Sequence, residues 1–239
     1  MSFGVERISA KFAALKKEGR AGFVAYIMAG DPDVETTAKI LDGLPGAGVD
    51  LIELGFPFSD PMADGPTIQR AGLRALNNKM TLTKTLELAK GFRAKHPDTP
   101  LIVMGYLNPI DTMGLDTFAK KAKESGVDGA LIVDAPPEED GPLRTALENE
   151  GLTLIRMAAP TSDDSRLRRI LSGAKGFLYY VSVTGVTGVK AVASDAAGAA
   201  VQRVRAQSDI PVAVGFGVRT EDQAASVARA ADAVVVGSA

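Results

Sequence analysis

The stretch Ala47-Gly48-Val49-Asp50-Leu51-Ile52-Glu53-Leu54-Gly55 reads as a helix end running directly into a short apolar strand that stops at a glycine. Leu51, Ile52 and Leu54 form a continuous apolar run with no polar alternation, which suits a strand covered on both faces, as in parallel sheets. The same junction recurs at Ser125-Gly126-Val127-Asp128 and at Ala230-Ala231-Asp232, each leading into another β-branched apolar run. Repeated joins of helix to buried strand are what β–α units require.

Working outward toward the N-terminus, Gly22 to Ala29 is a first strand, closed by Gly30-Asp31-Pro32. Asp33 or a neighbour is placed to cap the helix behind it, which carries Ile40, Leu41 and Leu44 and turns irregular at Pro45. Ahead of these, Ile8, Phe12 and Leu15 lie at helical spacing between Arg7 and Lys17, a leading amphipathic helix. In the other direction, helices are expected over Thr67 to Asn77 and Leu82 to Ala94, then a strand over Pro100 to Gly105 and a loop at Tyr106-Leu107-Asn108-Pro109. A helix burying Leu115, Phe118 and Ala122 follows, then strand Val127 to Val133, helix Pro142 to Glu150 and strand Leu152 to Met157. A helix capped by Thr161 or Ser162 precedes strand Phe177 to Val183. The last units are helix Ala196 to Ala206, strand Pro211 to Val214, a helix with a Thr220/Gln223 capping box, and strand Asp232 to Val236. Eight strands, seven followed by helices, imply an α/β protein, a (β/α)8 TIM barrel spanning 1–239 as a single domain, with the final helix absent from this chain. A doubly wound open sheet is the competing arrangement.

The balance of 27 basic against 29 acidic residues, net charge −2, with basic residues dispersed, gives no reason to expect a nucleic-acid or membrane partner. With no cysteine, thiolate nucleophiles and cysteine-ligated metals are excluded; with one histidine, His96 near a helix end, so are histidine clusters. No metal site is expected. The opening residues lack the apolar core of a signal peptide and no run of roughly 18 apolar residues occurs, so a cytoplasmic location is expected.

Glu53 is the residue that does not fit its surroundings. A carboxylate inside an apolar strand loses hydration and holds its proton to higher pH, which suits general acid/base work near neutrality. The loop after it, Phe56-Pro57-Phe58-Ser59-Asp60-Pro61-Met62-Ala63-Asp64-Gly65-Pro66, carries two more carboxylates, and Asp64 and Glu53 are expected to face one pocket. Barrel function gathers at the strand C-terminal ends. There the chain also carries Tyr106, Asn108, Asp134 and Tyr179, with glycines at Gly185 to Gly188, Gly217 and Gly237 before Ser238. Glycines after strands six to eight let backbone N–H groups approach an anion, so a phosphate cradle is expected. A phosphate at one end and a protonatable Glu at the other imply proton-transfer chemistry on a small phosphorylated substrate: a lyase, an aldol-type cleavage or an isomerisation.

Leu54-Gly55-Phe56-Pro57-Phe58-Ser59-Asp60-Pro61-Met62-Ala63-Asp64-Gly65-Pro66, taken with Gly185-Val186-Thr187-Gly188, Gly215-Phe216-Gly217 and Gly237-Ser238, resembles the tryptophan synthase alpha-subunit family over the length of the chain. The resemblance implies cleavage of indole-3-glycerol phosphate to indole and glyceraldehyde 3-phosphate. It further implies Glu53 as the acid/base, and Asp64 as acceptor of the indole N–H hydrogen bond. Tyr179, Thr187, Gly188, Phe216, Gly217, Gly237 and Ser238 would contact the substrate, with Thr187 approaching Asp64. It also implies an α2β2 complex in which Asp60, Pro61 and Asn108 face a β subunit that holds pyridoxal phosphate, with no cofactor in this chain. Phe56 stands where an aliphatic residue is expected, and its bulk is expected to narrow the pocket.

Overall fold

Short β-branched runs followed by glycine turns build the centre of the molecule. The computed structural model describes residues 2–181, 194–215 and 217–238. Its strands are β1 (Gly22–Met28), β2 (Leu51–Gly55), β3 (Leu101–Gly105), β4 (Gly129–Ile132), β5 (Thr153–Ala158), β6 (Leu178–Val181), β7 (Val212–Gly215) and β8 (Ala233–Val236). All eight are parallel and close into a barrel in chain order, with β8 pairing back onto β1. The open sheet is thereby excluded. The helices are α1 (Val5–Glu18), α2 (Val34–Gly43), α3 (Pro66–Asn77), α4 (Leu82–Lys95), α5 (Leu107–Met113), α6 (Leu115–Glu124), α7 (Gly141–Asn149), α8 (Asp164–Leu171), α9 (Ser194–Arg205) and α10 (Glu221–Ala228). Among the described residues, no helix follows β8.

Side chains alternate between two cores along each strand. Inward, Val24, Leu51, Ile102, Leu131, Ile155, Tyr179, Ala213 and Val235 fill the barrel. Ile8, Phe12 and Leu15 of α1 join that interior cluster, so the leading helix closes the end of the barrel where the strands begin. Outward, Ile52, Leu54, Val103, Ala130 and Leu154 pack under the helices.

A buried ionic cluster fastens α1 in place. Asp128, fully covered, accepts hydrogen bonds from the N–H of Gly4 (2.9 Å), the N–H of Leu101 (3.0 Å) and Arg93 Nη2 (2.9 Å), and pairs with Arg7. Removing that carboxylate takes the counter-charge from two guanidinium groups and the acceptor from two backbone donors. Asp128→Ala is therefore expected to cost about 3 to 5 kcal/mol, read as a lowered midpoint in chemical denaturation.

Three sequence expectations change. Residues 107–113 form α5, where Asn108-Pro109 had suggested only a loop; Pro109 is the third helical residue, where a missing N–H breaks no intrahelical bond. α8 is capped by Asp163, whose carboxylate accepts from the N–H of Arg166 at 2.7 Å, and not by Thr161 or Ser162. Phe56 does not narrow the interior. Its ring belongs to the outer core and occupies the space that a side chain at Gly105 would need. The Asp33 cap and the Thr220/Gln223 capping box form as expected.

Candidate active site

Alternation along β2 turns Glu53 inward together with Leu51, one layer nearer the strand ends. The residue has no exposed surface, and neither carboxylate oxygen has a hydrogen-bond partner. With nothing to stabilise the charge, burial pushes its pKa up to about 8. A structural carboxylate would be bonded to an arginine or a backbone donor, as Asp128 is; Glu53 has neither.

Two phenols surround it. Tyr26 lies opposite Glu53 in the β1–β2 register, and Tyr179 comes from β6 across the barrel. Both are held well above the usual tyrosine range, first by burial; negative charge adds to this, from Asp64 and then Glu53 at Tyr26, and from Glu53 at Tyr179. Glycines make room for them: a Cβ at Gly55 would lie 2.3 Å from the Tyr26 hydroxyl, and one at Gly215 would lie 2.3 Å from the Tyr179 hydroxyl. Tyr26 is thus the one of the two phenols that feels both carboxylates. Sequence reasoning missed Tyr26. The available signal was its even spacing from Val24, on the face of β1 that lines the interior.

Asp64 sits late in the loop between β2 and α3, partly buried, with its N–H bonded to the carbonyl of Pro61 at 3.1 Å. Its own carbonyl accepts from Gln69 Nε2 at 2.8 Å. Burial raises its pKa, and a hydrogen bond from Tyr106 opposes that rise. The Tyr106 hydroxyl in turn accepts the N–H of Ala63 at 3.0 Å, while its ring packs on Phe58 with centroids 5.4 Å apart. Asp134 has a supporting role: its carboxylate accepts the N–H of Leu107 at 2.8 Å, holding the start of α5 directly after Tyr106.

The glycines meet at the same end. Ala213 pairs with Ala233 and Val214 with Val234; Gly217 follows β7 and Gly237 follows β8, at the same end of these adjacent parallel strands. Gly217 has φ +82° and is exposed, Gly237 is exposed and packs against the Tyr26 ring, and Ser238 is partly exposed. Their N–H groups and the Ser238 hydroxyl are thus available at the mouth, on the side where β8 adjoins β1. Thr187, Gly188 and Phe216 lie outside the described residues. Asp60 and Asn108 are exposed and Pro61 partly so, on neighbouring connections after β2 and β3. Met62, next to Pro61, is 76 % exposed. Among the described residues, no group of three or more His, Cys, Asp or Glu side chains is placed to hold a metal ion, and no helix is long and apolar enough to cross a membrane.

An inward, unpartnered, protonated carboxylate, a second carboxylate held by a phenol, and glycine turns nearby can move a proton on a substrate anchored by an anionic group. A family model described as tryptophan synthase alpha chain matches residues 12–239. The chain is 62% identical over 234 residues to the tryptophan synthase alpha chain of Caulobacter sp. (strain K31), covering 98% of this chain and 85% of that one. It is 55% identical to that of Zymomonas mobilis, covering 98% and 86%. Among solved structures, it superposes on tryptophan synthase subunit alpha from Legionella pneumophila with TM-score 0.89 and 41% identity, covering 97% and 86%. On Mycobacterium tuberculosis tryptophan synthase the TM-score is 0.91 at 37% identity, covering 99% and 90%.

Proposed function

Because the chain belongs to the family of tryptophan synthase alpha chains, lyases that cleave indole-3-glycerol phosphate in tryptophan biosynthesis, we propose that Glu53 and Asp64 perform that cleavage. Glu53, protonated at neutral pH, gives its proton to C3 of the indole ring. The ring becomes cationic, and Asp64, as a carboxylate accepting the indole N–H, steadies the charge. Glu53, now ionised, takes the proton from the side-chain hydroxyl next to C3. The bond between C3 and that carbon breaks; its electron pair returns to the ring, releasing indole, and the former carbinol becomes the aldehyde of glyceraldehyde 3-phosphate. One proton enters and one leaves, so Glu53 ends as it began. Tyr179, Thr187 and Phe216 line the substrate, and the phosphate is held by backbone groups of Gly188, Gly217 and Gly237 with the Ser238 hydroxyl. The whole span acts as one domain.

The observation that carries this reading is the bare Glu53 carboxyl in the barrel interior. Its test is the rate of indole-3-glycerol phosphate turnover against pH. With the acid form required and its pKa at about 8, kcat/KM is expected to fall about tenfold for each pH unit above that value. A rate still rising at pH 9 would remove Glu53 as the acid.

Membership of this family implies a β-chain partner. We propose an α2β2 assembly in the cytoplasm in which Asp60, Pro61 and Asn108 meet the β subunit. Pyridoxal phosphate would then belong to that subunit, the small phosphorylated indole substrate to this one, and neither nucleic acid nor membrane would take part. The exposed Met62 beside Asp60 and Pro61 adds an apolar contact of the kind interface centres use.

A further inference from the structure

The carbinol hydroxyl of the substrate has its partner in Glu53 and the phosphate has its cradle in the glycine turns, but the side chain carries one more oxygen. It sits on the middle carbon and survives into glyceraldehyde 3-phosphate. A hydroxyl taken out of water without a partner weakens binding.

Barrel closure sets one side chain between the acid and the cradle. β1 lies between β2 and β8, and Tyr26 stands opposite Glu53 in the β1–β2 register. On its other flank, a Cβ at Gly237 would lie 3.2 Å from the Tyr26 Cβ. Glu53, Tyr26 and Gly237 thus form one row over three adjacent strands. At about 4.8 Å per strand, roughly 10 Å of wall separates the acid from the cradle, and Tyr26 occupies its middle. The ring leans toward the mouth: its hydroxyl fills the space over Gly55, 2.3 Å from where a Cβ would stand. Gly55 is two residues past Glu53 on β2, so that space is the next inward layer, where a substrate resting on Glu53 must lie.

The other phenol is placed differently. Tyr179 is 4 % exposed on β6, which stands opposite β2 in the ring of strands, whereas Tyr26 keeps part of its surface open. Among the described residues, no group bonds the Tyr26 hydroxyl. Its proton and lone pairs are therefore free for a ligand.

We propose that Tyr26 is a substrate contact that sets specificity: its ring lies along the three-carbon chain, and its hydroxyl bonds the side-chain hydroxyl that cleavage leaves intact. This rests on the roles of Glu53 and the glycine turns given above. Tyr26 moves no proton in the reaction; it selects a chain with a hydroxyl on its middle carbon over one without.

The test uses the complete chain with its β partner. It compares Tyr26→Phe with the parent on indole-3-glycerol phosphate and on the analogue whose middle carbon bears hydrogen in place of the hydroxyl. Phenylalanine keeps the ring beside Gly237. With the natural substrate, Tyr26→Phe is expected to raise KM roughly fivefold at nearly unchanged kcat, the size of one hydrogen bond between neutral groups. The parent's preference for the natural substrate over the analogue, as a ratio of kcat/KM, is expected to shrink by the same factor in the variant. An unchanged preference would overturn the proposal, because lost packing weakens both compounds alike. Indole-3-propanol phosphate has neither side-chain hydroxyl and is expected to bind parent and variant equally. A fivefold loss of its affinity in Tyr26→Phe would reduce Tyr26 to a packing residue and overturn the hydroxyl contact. A parent that leaves indole-3-glycerol phosphate uncleaved would instead overturn the reading on which the proposal rests.

Discussion

Glu53→Gln is expected to abolish indole-3-glycerol phosphate cleavage while leaving the barrel folded. The amide has the shape of the protonated acid but exchanges no proton, and general acid/base catalysis supplies on the order of 10² to 10⁴ in rate. A loss smaller than about tenfold, roughly 1.4 kcal/mol of barrier, would sink the assignment. The same substitution carries a second, independent readout. Glu53 has its pKa raised from 4.5 to about 8, so below pH 4.5 the folded and unfolded chains both hold the proton and no penalty exists. As pH rises, the unfolded chain ionises and the folded one does not, and stability falls by about 1.4 kcal/mol per pH unit until the folded value is passed. Glu53→Gln lacks this loss. Its denaturation midpoint is therefore expected to gain on that of the parent between pH 5 and 8; parallel profiles would mean that Glu53 is already charged in the fold.

Asp64→Asn is expected to lower kcat by two orders of magnitude or more with substrate still bound. The amide still offers an oxygen to the indole N–H, so binding survives, but it supplies no charge when the ring turns cationic, and that charge is an interaction made only as the barrier is crossed. A large rise in KM with kcat unchanged would make Asp64 a binding residue only. The two effects differ in kind. The first removes a proton and the second a counter-charge, so the residual rate of Asp64→Asn is expected to keep the high-pH decline set by Glu53.

The chain spells out much of this architecture because each strand is a separate apolar word bounded by turns. Leu51 to Gly55 needs no partner to be recognised, and the capping pair Thr220 and Gln223 is local chemistry. Glu53 was legible for the same reason: a carboxylate among aliphatics is conspicuous at any position. The misreadings are those in which a local preference competes with position. Asn108-Pro109 favours a turn, yet at the start of a helix proline breaks nothing, so α5 forms. Phe56 was judged by bulk, when its odd spacing from Glu53 already put it on the opposite face. Tyr26 is legible only as an inward position two residues after Val24, and Tyr106 only as a residue after a strand; that Tyr26 packs beside Gly55 and Gly237, and that the Tyr106 hydroxyl accepts the Ala63 N–H, depends on residues far along the chain that barrel closure brings alongside.

The stopper formed by Ile8, Phe12 and Leu15 has a bearing on traffic. A vessel stoppered at its base offers no way through that end, so reactant, aldehyde and indole are left to travel past the opposite rim. Any protein resting there on Asp60 and Asn108 would also decide which of them leaves, and toward what.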